Sequence, residues 1–347
     1  VKTGFKFCIT VLLGLLPSLL NAQDAHFSQY YSSGLYLNPS LAGVEPGLMV
    51  GMNYRNQWRS IVVPYVTSQL SVIAPIYVGK GKKANHLGGV GLSFYNDKSG
   101  DGNFRTTGVN VNAAYNLNLS SKHTITFGVQ GGFIQKSINF SDLQWGEQYN
   151  PYNGFDSSIP SSETTINRTR IYPDIGAGMI YSFGNTKKKK KKKTVNGYVG
   201  LAAYHINSAN ESLVKTIVSK LPILYKGHAG LVIPINHKLS FSPNVLYMTQ
   251  NNVNQLNTGL YLNYEINKGG DLIAPSMIIL GGWYRLKDSF IASVGFGNNN
   301  YLFGFSYDVN NSSLRYSTQG RGAFEFSLSI RKFKVRDSMK RFHTPRI

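Results

Sequence analysis

Cysteine is nearly missing from this chain of 347 residues: the single one, Cys8, falls within the first 22. Those residues are laid out as a secretory signal. Lys2 and Lys6 precede an apolar stretch from Ile9 to Leu20, and Leu20-Asn21-Ala22 makes a cleavage site before Gln23. Without that segment no thiol remains, which excludes disulfides and thiol chemistry. No other long apolar run occurs, so any crossing of a membrane must be made by strands. Acidic residues are scarce, 16 against 36 lysines and arginines, for a formal net charge of +20. A basic-aromatic motif of the kind that grips nucleic acid is lacking, so nucleic acid is not an expected partner. CxxC, HExxH, GxSxG and phosphate-loop patterns are also missing. The histidines (His26, His86, His123, His205, His228, His237 and His343) are scattered without ligand spacing. A lipid-modifying enzyme would need a Ser/His pair on a lipid-facing wall, and neither His205 nor His228 supplies an evident one. The stretch Asn96–Asn103 has calcium-loop character only superficially. Lys98 intrudes and the terminal bidentate carboxylate is missing, so it reads as a turn. No catalytic residue, cofactor or metal is expected.

What the chain does have is alternation. Val109, Val111, Ala113, Tyr115, Leu117 and Leu119 fall on one face of an extended strand, with Asn110, Asn112, Asn116 and Asn118 on the other. The pattern recurs in Leu256–Ile266, Ser240–Tyr247 and Phe324–Arg331. One apolar and one amide-rich face suit a closed barrel with lipid outside and a polar lumen. The ~325 residues after position 22, at about 10 per strand plus turns, make a transmembrane antiparallel up-and-down β-barrel of about 14 strands. The patterning places them at 48–59, 65–77, 86–96, 104–119, 122–138, 170–184, 194–206, 222–236, 238–249, 253–266, 272–286, 289–296, 300–309 and 321–333. The chain then divides into a signal peptide (1–22), an N-terminal segment or plug (23–47), the barrel (48–333) and a basic tail (334–347).

Connections alternate between short and long. Barrels of this kind keep short turns in the periplasm, which places both chain ends there. On that count more than half of the 36 basic residues face the periplasm. Among them is the homopolymeric run from Lys187 through Lys190 to Lys193, which either attracts anionic lipid or docks an acidic periplasmic partner. The carboxylates Asp97, Asp101, Asp142, Glu147, Asp156, Glu163 and Glu211 fall in the outer loops, so the molecule is expected to be polarised along its axis. The longest loop, 139–169, carries Trp145, Tyr149, Tyr152 and Phe155, which either fold over the mouth or meet a partner. Glu211–Leu221 could form a short amphipathic helix.

Three motifs open the chain: Asp24-x-x-Phe27-Ser28-Gln29-Tyr30, Asn38-Pro39-x-x-Ala42-Gly43 and Tyr54-Arg55-x-Gln57-Trp58. Together with the closing Gly322-Ala323-Phe324-Glu325-Phe326-Ser327-Leu328 they resemble the PorP/SprF family of Bacteroidetes outer-membrane proteins of type IX secretion and gliding. The opening motif reads as a segment that leaves the periplasm and packs at or in the lumen. Phe27, Tyr30 and Trp58 would be its anchors, Asn38-Pro39 a turn and Gly43 a point of close approach. Arg55 could pair with Glu265 or Glu325. The resemblance implies a non-enzymatic barrel in the outer membrane that contacts lipid and secretion-machinery subunits. Its expected client is an exported surface protein, such as an adhesin, held by its C-terminal domain. The competing reading is a porin or solute channel, which a plug of residues 23–47 would oppose.

Overall fold

The alternating stretches become strands, and the strands close on themselves. The computed structural model describes residues 24–332 apart from 61–62, 80–84, 101, 140–142, 151, 153, 162–168, 185–193, 267–273 and 314. In chain order the strands are β1 (Leu48–Gln57), β2 (Tyr65–Val78), β3 (Asn85–Ser99), β4 (Phe104–Asn118), β5 (His123–Ser137), β6 (Tyr149–Asn150), β7 (Gly154–Phe155) and β8 (Thr169–Phe183). They continue with β9 (Asn196–Tyr204), β10 (Leu224–Pro234), β11 (Leu239–Gln250), β12 (Val253–Glu265), β13 (Met277–Arg285), β14 (Ser289–Gly297), β15 (Tyr301–Asn310) and β16 (Arg321–Lys332). β6 and β7 pair only with each other, and the other fourteen form one closed antiparallel barrel. The seam is the ladder between β1 and β16, from Leu48↔Lys332 to Gln57↔Ala323. Closure leaves no edge of unpaired backbone groups, as a structure spanning hydrocarbon requires.

The two faces sort as alternation demands. Asn110, Asn112 and Asn116 are buried towards the lumen, whereas Val111 is 60% and Phe133 63% exposed on the outer wall. That wall is apolar around the whole barrel, a surface suited to lipid and not to water. Two of the strand prolines lie beyond the end of a neighbour's ladder, where no N–H is needed. Pro75 lies beyond Met49↔Ile73, the last rung between β1 and β2, and Pro173 lies beyond Ala177↔Ala203, the last rung between β8 and β9. The wall is uneven in height: β3, β4, β5 and β8 have 15 residues each, β13 and β14 only 9.

Glu211–Leu221 is not helical. Its chain folds back as a loop in which the Glu211 N–H donates to the Ser219 carbonyl at 2.9 Å and the Leu221 N–H to the Ala209 carbonyl at 2.9 Å. The β-branched Val214, Thr216, Ile217 and Val218 weaken a helix here, and the Lys136–Glu211 ion pair ties the loop to β5. Of Asn96–Asn103, read from sequence as a turn, Asn96–Ser99 instead extend β3, paired with β4, and the chain turns only from Gly100, at φ 67°.

Residues 24–47 run through the lumen. They begin among the ends of β9 and β11 at the rim that bears the long loops, and they reach the opposite, short-turn rim, where β1 starts. This differs from an N-terminal segment entering from the short-turn side: residue 24 and Leu48 stand at opposite ends of the barrel. Midway lie one helical turn, α1 (Gly34–Leu37), and a 3-10 turn over Pro39–Gly43. Asn38 joins them, its side-chain oxygen accepting from the Ser40 N–H at 3.0 Å and the Ser40 hydroxyl at 2.7 Å, with proline at the first helical position. The turn presses into the wall. A Cβ on Gly128 of β5 would lie 2.3 Å from the Ser40 nitrogen, and one on Gly43 would lie 2.9 Å from Thr126 Cγ2.

Candidate functional site

The lumen holds its N-terminal segment by three layers, two of them polar. The first, at the long-loop mouth, is built on His205, one residue past β9. Its Nδ1 is 2.6 Å from Asp174 on β8 and its Nε2 is 2.6 Å from Asp24. A ring with a carboxylate on each nitrogen is satisfied only when both nitrogens carry protons. Burial opposes that charge, but the Asp24 carboxylate and the hydrogen bonds to Asp174 and Asp24 outweigh it and raise the His205 pKa to about 10. Burial likewise pushes the Asp24 carboxyl up, and the charge and hydrogen bond of His205 more than reverse this, holding it below its usual value. The Asp24 N–H donates to Gln250 Oε1 at 3.0 Å. Nearby, Lys226 Nζ donates to the Tyr36 carbonyl at 2.6 Å and lies 4.1 Å from that ring's centre.

The second layer is a buried ion network around Ser28. Arg55 on β1, 1% exposed, sits 2.7 Å from Asp308 on β15 and 3.3 Å from Glu325 on β16. Arg285 at the end of β13 reaches Asp308 at 3.2 Å and Asp288 at 2.9 Å. The Ser28 hydroxyl donates to Asp308 at 2.8 Å and accepts from Arg285 at 2.8 Å and from Arg55, which uses its full hydrogen-bonding capacity. Glu325 accepts the backbone N–H groups of Ser28 at 2.7 Å and Gln29 at 3.1 Å. Gln29 also donates to the Glu325 carbonyl at 3.0 Å and accepts from Ser327 at 2.7 Å. Charges that would be costly if unpaired are here paired to each other and to the segment.

The third layer is apolar with polar tips. Tyr30 meets Trp283 edge to face at 5.3 Å and donates to Tyr31, which donates to Asn244 at 2.8 Å. Phe27 packs against Tyr36 at 5.6 Å. The Asn38 amide nitrogen lies 3.2 Å from the Met179 carbonyl, 3.1 Å from the Leu201 carbonyl and 3.1 Å from His228 Nε2. His205 and His228 therefore face the lumen, not lipid. The Gly43 carbonyl accepts from Asn116 at 2.7 Å. Cavities beside Leu35 and Lys226 measure only about 20 and 10 Å³, room for little more than one water. Above the segment a cavity of about 890 Å³ opens at the long-loop mouth. Among the described residues no group of three His, Cys, Asp or Glu side chains could hold a metal ion.

The sequence matches the family described as "Type IX secretion system membrane protein PorP/SprF" over residues 19–330. The chain belongs to this family. With its closed barrel and apolar outer wall, this PorP/SprF protein is an outer-membrane component of the type IX secretion system, associated with that machinery. No curated protein matches it significantly. Solved structures similar to it include a TodX monoaromatic hydrocarbon channel deletion mutant (TM-score 0.44, 11% identity, 90% of this chain and 94% of that one). Others are the CymD monoaromatic hydrocarbon channel (0.42, 13%, 87% and 93%) and a Pseudomonas aeruginosa FadL homologue (0.42, 11%, 86% and 94%).

The PorP/SprF motif residues are largely gathered in one place. Asp24, Phe27, Ser28, Gln29, Tyr30, Asn38, Pro39 and Gly43 line the segment, and Arg55 meets it from β1. Gln57 and Trp58 stand apart at the mouth cavity. Trp58 packs edge to face on Tyr65 at 5.0 Å, so it does not anchor the segment with Phe27 and Tyr30. Of the two carboxylates expected for Arg55, Glu325 is a partner. Glu265 ends β12 at the short-turn rim, too far down the barrel, and Asp308 takes the second place. Tyr149 and Phe155 pair across the β6–β7 ribbon, with Tyr152 at its tip and Trp145 at its approach. Lys187, Lys190 and Lys193, the first 22 residues and the tail 334–347 lie outside the described residues. Sequence reading missed Arg285, Asp174 and Lys226, and it did not pair Asp308 with Arg55. Inward parity in their strands was the available signal, but it does not say which inward residues meet.

Proposed function

We propose that this barrel is a non-enzymatic adaptor of type IX secretion that holds an exported surface protein by its C-terminal domain. Its long-loop end faces outwards and grips the client with the aromatic ribbon and mouth. Its basic short-turn end faces the periplasm and contacts the secretion machinery. The observation that carries this reading is the occupied lumen: a barrel filled by its own residues 24–47 suits a platform better than a conduit. The solute-channel alternative loses support for the same reason. Cleavage before Gln23 would leave the new terminus beside Asp24, at the outer mouth. A tagged copy purified from native membranes in mild detergent tests the proposal. Secretion subunits together with one large surface protein are the expected companions, and a barrel recovered alone would overturn it.

A further inference from the structure

One arc of the long-loop rim is basic. Three of its connections, β13–β14, β15–β16 and β1–β2, join strands that are consecutive in the closed order β2–β1–β16–β15–β14–β13. They carry Lys287, Arg315 and Arg59, and β16 begins with Arg321; all four are exposed. The one carboxylate among these connections, Asp288, turns inwards to Arg285. Asp308 and Glu325, just below, are taken up by Arg55 and Arg285 inside the lumen. Among the described residues the arc thus carries four cations and one carboxylate, Asp288, which is held by Arg285.

Backbone register aims one of the four at the membrane. β16 turns Phe324 and Phe326 to lipid, so an unbroken strand would send Arg321 into the lumen with Ala323 and Glu325. The ladder instead runs Tyr307↔Phe324, Asp308↔Ala323 and then Val309↔Arg321, with a register shift between Asp308 and Val309. Opposed residues share a face, so Arg321 emerges on the outer wall beside Val309, which is 46% exposed. It stands roughly 7 Å above the Tyr307/Phe324 pair, where the apolar band ends. Next to it the Arg315 guanidinium lies 4.9 Å over the exposed Tyr316 ring, a pairing of cation and aromatic suited to a membrane interface.

We propose that this arc binds the phosphate groups of a phosphorylated glycolipid in the outer leaflet. Three guanidiniums supply the planar fork that matches phosphate oxygens. The place of Arg321 on the lipid-facing wall, with all four cations outside the lining of the mouth cavity, selects a lipid over a free anion. The inference rests on the long-loop end facing outwards.

Native mass spectrometry of the full-length protein in mild detergent tests it, with lipid A as the probe beside lipid A stripped of both phosphates. Wild type binds the phosphorylated form. Removing the phosphates, or introducing Arg59→Ser, Lys287→Ser, Arg315→Ser and Arg321→Ser together, weakens binding by at least about tenfold. The quadruple variant keeps its heat-modifiable gel mobility, which shows that the barrel is intact. Equal binding of both lipids, unchanged binding by the variant, or full competition by inorganic phosphate each overturns the proposal. Orientation is read separately by labelling Lys287→Cys on intact cells with a membrane-impermeant maleimide. Labelling without lipid A binding sinks the arc and leaves the orientation standing; absence of labelling sinks both.

Discussion

Arg55 and Asp308 are 253 positions apart in the chain and 2.7 Å apart in the lumen. They stand on β1 and β15, on either side of β16, so their ion pair staples the seam where the two ends of the barrel meet. Ser28 of the N-terminal segment completes the same network, which couples closing the barrel to filling it. Arg55→Ala would leave Asp308 and Glu325 buried with Arg285 as their remaining cation. The expected loss is about 3–5 kcal/mol, read as a lower midpoint in urea or heat titrations followed by gel mobility. Arg55→Lys keeps the charge but not the two-pronged geometry and should fall between. A midpoint unmoved by Arg55→Ala would show that the network does not bear on closure.

The Asp24–His205 pair makes a latch with a defined pH window. His205 has a folded pKa of about 10, above its ordinary 6.5. Its contribution is therefore complete below about 6.5 and is lost as pH rises through about 10. The Asp24 value lies below its ordinary 3.8, so its contribution is present above that value and is lost as pH falls through the lowered one. Hydrogen exchange of residues 24–30, corrected for intrinsic rates, should be flat from about pH 5 to 6.5, rise steadily above that and level off near pH 10. His205→Ala should raise exchange across the whole range and abolish the alkaline step. An alkaline step that survives in that variant would assign it to another group.

Filling of the lumen makes an electrical prediction. In planar bilayers the intact protein should pass little current, because the cavities beside the segment hold about 20 and 10 Å³. Deleting residues 24–44 removes the segment and should open a steady conductance. Deletion also strips Ser28 and Gln29 from Glu325, so an unfolded product is one hazard. Asp24→Ala combined with Ser28→Ala, which loosens the segment without removing it, should give flickering openings. Large, stable currents through the unaltered protein would revive the solute-channel reading.

The barrel was far more legible in the sequence than its contents. Period-two patterns such as Val109–Leu119 report directly on which face meets lipid, because every outward residue feels the same solvent. Strand number and most strand ends follow from that signal and from turn residues. Inside, the rule stops at parity. Parity offers Arg55 both Glu265 and Glu325 and does not choose between them. Asp308 and Arg285, equally inward, could not be singled out without the stagger that brings β1, β13 and β15 to one level. His205 gave no sign at all, since its partners Asp24 and Asp174 meet it only after the barrel has closed around the segment. The Glu211–Leu221 loop misled because apolar spacing suggested a helix while its β-branched residues and a partner on β5 favoured an extended return.

The β6–β7 ribbon offers the sharpest separation of function from fold. Tyr149 and Phe155 face each other across it, ring centres 5.8 Å apart, and Gly154 takes φ 74° to turn the chain. Tyr152 at the tip is 94% exposed. None of the three contributes to the hydrophobic clusters that hold the barrel. Replacing all three with serine should therefore move the unfolding midpoint by no more than about 0.5 kcal/mol. If the ribbon grips the client, the same variant loses aromatic anchors at the centre of an interface. A loss of roughly 2 kcal/mol or more, about thirtyfold in affinity, is then expected. Quantitative mass spectrometry of the surface protein that co-purifies with each variant measures it. A client recovered in undiminished amount would move the grip from the ribbon to the mouth cavity, where Trp58 and Tyr65 are the next aromatics in reach.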